Sequence, residues 1–131
     1  MSIKLVALLA CISALAVAPC PAFAELLLVG ENAEGDRFHV DSETVTELTE
    51  DVVVFDTIVN HRQPQANGTT VTVDRFVADC RTNSVANVSW LSLDANQRPV
   101  VSQALPPLEA NVAPAGSLMM AEIELACTAI D

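Results

Sequence analysis

Two cysteines constrain this chain more than any other feature. Cys80 and Cys127 are the pair that remains once the first 24 residues are set aside, because the other two, Cys11 and Cys20, lie inside that segment. One remaining pair predicts one disulfide, and such a bond persists where the surroundings are oxidising, outside the cytoplasm. The N-terminus supplies the matching address. Met1-Ser2-Ile3-Lys4 carries a positive charge, Leu5 to Ala18 is apolar, and Ala22 and Ala24 flank Phe23 as in a cleavage site. This is the pattern of a secretory signal over residues 1–24. Its apolar core falls short of the roughly 20 residues that span a bilayer, so cleavage is favoured over a membrane anchor. A lipid anchor fits poorly, since Cys20 follows Pro19 and Cys11 comes after too short a core.

Residues 25–131 have the length of one domain with a modest core. No second stretch among them is apolar enough for a membrane span, so a soluble exported protein is expected, in the periplasm, at the cell surface or released. All 17 acidic residues lie there, against five arginines and no lysine, a net charge of −12. A nucleic-acid or anionic-lipid surface needs a basic patch, and these residues cannot assemble one. The acids are spread along the chain, as expected of a charge that keeps an exported protein in solution.

The pattern along the chain is mostly that of strands. Leu26–Gly30 and Arg37–Asp41 read as a hairpin across a polar turn. Ser42 to Thr49 is polar, and Asp41 or Ser42 is placed to cap a single helical turn. Val52–Val59 is rich in β-branched residues. Asn67-Gly68 offers the positive φ of a tight reversal, and Thr69–Cys80 is the next strand. There Val71, Val73 and Val77 form one apolar row, while Phe76, Ala78 and Cys80 share the other face. Val85–Leu93 is the strand after it, with Val85, Leu91 and Leu93 in one phase and Val88 and Trp90 in the other. Pro99–Ser102 makes a short last strand, and Leu105–Pro114, with three prolines, reads as an extended linker.

Then the composition turns helical. Ser117 is placed to cap a helix over Leu118–Thr128, whose Met119, Ile123, Ala126, Cys127 and Ile130 fall on one face. Cys127 therefore points with the apolar stripe. A bond to Cys80 pins the helix onto the sheet face that carries Phe76 and Ala78. The expected fold is α+β: an antiparallel sheet of about six strands, with a C-terminal helix packed on one face and clamped by the disulfide. Closing so long a loop is worth about 4 kcal/mol by chain entropy.

Several segments carry a resemblance. Val29-Gly30, Asp36-Arg37-Phe38-His39-Val40-Asp41, Val77-Ala78-Asp79-Cys80-Arg81, Pro114-Ala115-Gly116-Ser117 and the terminal Cys127 occur in an order and spacing that resembles the surface-adhesin protein E-like family of small exported bacterial proteins. The resemblance covers nearly all of residues 25–131. It implies an antiparallel sheet with a C-terminal helix held by a disulfide, and a role in binding at the bacterial surface.

Chemical motifs are sparse. His39 with Asp41, and His61 with Asp56, are the metal candidates, and neither has a known ligand spacing. Glu31, Glu34 and Asp36 form an acidic turn without the ordered ligand series of a calcium loop. Ser117 fits a helix cap better than a nucleophile. No catalytic, metal or cofactor-binding residue is nominated, and no cofactor. The leading expectation is a non-enzymatic binding module of the cell envelope, with a protein or extracellular-matrix-type partner and a possible homodimer through an edge strand. The alternatives are a small periplasmic hydrolase using acidic residues, or a purely structural envelope accessory protein.

Overall fold

The computed structural model describes residues 25–105 and 110–130. Residues 1–24, expected to be a secretory signal, lie outside the described residues, as do residues 106–109 of the proline-containing linker. The order is β1 (Leu26–Glu31), β2 (Arg37–Thr49), β3 (Val52–Asn60), β4 (Val71–Asp79), β5 (Ser84–Leu93), β6 (Pro99–Ala104), β7 (Asn111–Val112) and the helix α1 (Leu118–Ala129). Strands β1 to β6 form an antiparallel meander in sequence order, and the two-residue β7 pairs with β5. Both β6 and β7 run along one side of β5, at Ser89–Leu93 and Ser84–Val85 respectively.

The β-branched run of β3 explains the centre of the sheet. Val53, Phe55, Thr57 and Val59 are buried in strict alternation, as a strand with one covered face requires. Across the ladder Phe55 faces Phe76 and Val53 faces Ala78, with the two rings 5.7 Å apart. Helix α1 lies over β1, β2 and β3 on this face. Its Ile123 and Ala126 complete a core with Val40, Val53, Phe55, Phe76 and Ala78. Each large apolar side chain buried there contributes about 1.5–3 kcal/mol. Gly30 allows the close approach of the helix start, since a Cβ at that position would sit 3.0 Å from Leu118 Cδ2.

The helix begins where Ser117 stops the chain. Ser117 has extended backbone and its Oγ accepts from the Met120 N–H at 3.1 Å. Near the other end, Cys127 is bonded to Cys80 with their Cα atoms 5.9 Å apart. Cys80 immediately follows β4 on the Phe76–Ala78 face, so the expected clamp is the one observed.

Two expectations are corrected. Residues Ser42–Thr49 form no helical turn; β2 continues through them to Thr49. The polar residues serve a break in the ladder, where pairing jumps from Asp41↔Asp56 to Thr46↔Val54. Thr44 Oγ1 accepts the Asp56 N–H at 2.9 Å across the gap, and Val45 packs on the core. The phase read for β5 is also broken. Between Arg75↔Ser89 and Phe76↔Asn87 an extra residue, Val88, enters β5. This bulge puts Val85 and Leu91 on opposite faces.

Candidate functional site

The face that α1 covers carries an unexpected polar seam. Glu122, in the middle of the helix, is 2% exposed, and so is as buried as the apolar residues beside it. Thr57 and Asp74 face each other across β3 and β4, and Asn87 Nδ2 donates to Asp74 Oδ1 at 3.4 Å. Glu122 Oε2, Thr57 Oγ1 and Asn87 Oδ1 are buried without hydrogen-bond partners. Burial pushes the Glu122 carboxyl up to about 7; the Asp74 charge pushes the same way, and the nearby Thr57 hydroxyl offsets a little without closing a full hydrogen bond. Burial also raises Asp74, with the Asn87 hydrogen bond opposing it.

The seam continues to the end of the sheet. His61 Nε2 meets Thr72 Oγ1 at 2.8 Å, and His61 Nδ1 meets Asp36 Oδ2 at 3.3 Å. With the proton on Nδ1, the ring donates to Asp36 and accepts from Thr72. Asp36 also accepts the Arg62 N–H at 3.0 Å and Asn32 Nδ2 at 3.3 Å. The Arg62 N–H is the main cause of a lowered Asp36 carboxyl. A carboxylate, an imidazole and a hydroxyl in line have the order of a nucleophile relay. Here Thr72 sits within β4, paired to Val59 and Ser92, and does not line the nearby cleft of Asp36, His61 and Arg62. The line ties the β1–β2 turn to the β3–β4 loop.

This geometry re-sorts the residues weighed, and not nominated, as metal ligands. His61 partners Asp36; Asp56 lies on the opposite face, where it accepts both Nε (2.8 Å) and Nη2 (3.0 Å) of Arg75. His39 approaches Asn60 at 3.5 Å. Glu31 of the acidic turn pairs with Arg37 at 3.4 Å, and Asp36 is engaged as described. Among the described residues no three His, Cys, Asp or Glu side chains gather as a metal site, and no helix is long and apolar enough to cross a membrane.

Sequence reasoning passed over Glu122. Its signal was present: Glu122 lies three residues after Met119 and four before Ala126, so it falls within the apolar stripe. The pairing of His61 with Asp36 had no local signal, because 25 residues separate them.

Two concave surfaces lie apart from the seam. On the uncovered face, Asp56, Arg75, Val73, Leu91 and Ser102 surround a shallow depression of about 320 Å³. The other is a groove of about 410 Å³ between β1 and α1, lined by Leu28, Val29, Ala121, Glu124, Leu125 and Thr128. Its lining is mostly apolar, with Glu124 and Thr128 as the polar members. It runs beside β1, which among the described residues is an edge strand paired with β2 alone. An extra residue, Val29, interrupts that pairing between Leu28 and Gly30.

Among the described residues, the fold and this groove define a class in structural terms: one helix clamped by a disulfide onto an antiparallel sheet, with an open apolar groove at one edge. Comparison with known protein families, with curated proteins and with solved structures finds no match to this chain.

Proposed function

We propose that this chain is an exported binding module of the bacterial cell envelope, which engages a protein partner through the groove between β1 and α1. The observation that carries the reading is the groove: the disulfide-held helix leaves Leu28, Val29, Ala121 and Leu125 accessible beside a strand edge that no other described strand pairs. An apolar floor with a few polar rim groups is the usual make-up of a recognition site. The secretory segment and the Cys80–Cys127 bond support action outside the cytoplasm. The resemblance to the surface-adhesin protein E-like family supports a partner at the bacterial surface.

The test places a photo-crosslinking residue at Ala121, in the groove, or at Asn96, in the exposed β5–β6 turn, in cells exporting the full chain. Partner adducts formed from position 121 and not from 96 are expected, on protein whose mature N-terminus is Glu25. Equal labelling from both positions, or none from 121, refutes the groove. An intracellular, unprocessed chain refutes the export.

A further inference from the structure

Resting on that reading, we infer that the groove takes its partner by strand addition: an extended peptide segment pairs with the outer edge of β1, places an apolar side chain between β1 and α1, and sets a basic side chain against Glu124. The first support is the edge itself. Among the described residues β1 has β2 on one side and no strand on the other, and its Leu26 and Leu28 are 42% and 50% exposed. A strand edge with exposed apolar residues is a template for main-chain pairing. The opposite edge of the sheet is a poorer template. There β6 begins at Pro99, and the two residues of β7 are separate from it in the ladder.

The second support is the coincidence of edge and groove. In strand addition the main chain gives affinity and alternate side chains enter pockets. Here the pocket adjoins the edge, because Leu28 and Val29 line it from β1 while Ala121 and Leu125 line it from α1. The bulge at Val29 interrupts regular pairing and confines the flat part of the edge to the start of β1. The occupant is therefore a short segment, three or four residues in contact.

Charge selects among occupants. Glu124 is exposed on the groove, and Glu25 is exposed where β1 begins. The arginine of the neighbouring strand end, Arg37, is paired with Glu31. A second copy of this chain would bring its own Glu25 and Glu124, and a like net charge, to the same edge. A basic apolar segment from a different protein meets complementary charge instead.

The experiment uses the oxidised mature chain and a blocked synthetic hexapeptide that alternates valine with threonine and carries one arginine. Binding is expected to shift the amide resonances of Leu26, Leu28, Ala121 and Leu125. N-methylation of alternate peptide amides removes the edge hydrogen bonds and is expected to weaken binding at least tenfold. Glu124→Lys is expected to weaken it at least tenfold as well, whereas Glu47→Lys, an exposed acid at the far end of β2, leaves it unchanged. Equal binding of the N-methylated peptide overturns strand addition while leaving the module reading to the crosslinking result. Equal loss in both lysine variants overturns the role of Glu124. Absence of binding overturns the inference, as do shifts centred on Leu91 and Ser102 or dimerisation that protects the β1 amides without peptide.

Discussion

Glu122→Gln isolates the cost of a carboxylate under the helix. The Glu122 carboxyl, ordinarily at 4.5, is raised to about 7 in the folded chain. Each pH unit of displacement is worth about 1.4 kcal/mol, so the folded state favours the neutral acid by about 3 kcal/mol. At 2% exposure the side chain has little solvent screening to reduce that figure. The sign follows from the direction. A carboxyl raised on folding contributes stability that is whole below pH 4.5 and lost as pH rises through about 7. Asp74, raised by the same burial, acts in the same direction and remains in the variant. Asp36 is lowered, so its contribution is lost only in the more acidic range, outside this window. Urea unfolding of the oxidised chain from pH 4.5 to 8, read by the single tryptophan, Trp90, gives the stabilities. The wild type is expected to lose about 3 kcal/mol across the range, and the glutamine variant a small fraction of that. The two curves should converge at the acid end, separate as pH rises from 4.5 to about 7, and keep a constant gap beyond it. Parallel curves, or a wild type that gains stability over this range, would refute the assignment of a buried, raised carboxyl.

The remaining predictions concern the clamp, one ion pair and one turn. Replacing both Cys80 and Cys127 by serine should cost about 4 kcal/mol, seen as a lower thermal midpoint; an unchanged midpoint would mean that the unfolded chain is not released by the change. Asp56→Ala breaks a two-bond contact to Arg75, but the Arg75 side chain is 54% exposed. The loss should therefore be under about 1 kcal/mol and shrink in high salt. Gln97 has φ 60° in the turn before β6. Gln97→Gly should stabilise by about 0.5 kcal/mol, because relief of the left-handed backbone is partly offset by the freer glycine chain; a loss in midpoint would contradict this.

What was legible in the sequence was whatever a local pattern controls. The alternation in Val52–Val59, the face shared by Phe76, Ala78 and Cys80, and the Ser117 cap all depend on neighbours a few residues away, and the structure places each as expected. What was not legible depends on register. A regular hairpin closing at Thr49↔Val52 would set Arg37 opposite Pro64, yet irregularities in β2 set it opposite Asn60. That shift brings Asp36 to His61, and no window of sequence contains it. The bulge at Val88 likewise moves Val85 to the covered face without any change in the apolar pattern. Glu122 was missed for another reason. Helical spacing marked the stripe from its apolar members and passed over the acid among them. The groove has no signature at all, since it arises where α1 crosses the edge of a sheet whose order is set by long-range pairing.

The clamp and the buried carboxylate act on the same helix with comparable magnitudes and opposite signs. Ionised Glu122 favours release of α1 by about 3 kcal/mol above neutrality, whereas the Cys80–Cys127 bond holds the helix near its C-terminal end. While the bond is intact, a released helix cannot leave the sheet, so its apolar stripe re-docks and the groove survives at neutral pH. Without the bond, docking depends on whether Glu122 carries its proton. The double serine variant should therefore keep slow hydrogen exchange at Ile123 and Ala126 near pH 4.5 and lose it near pH 8, after correction for intrinsic exchange. Adding Glu122→Gln to that variant should restore protection at pH 8. Loss of protection at both pH values would show that the disulfide alone docks the helix. Protection at both would show that apolar packing is enough, and that the buried carboxylate costs far less than its environment implies.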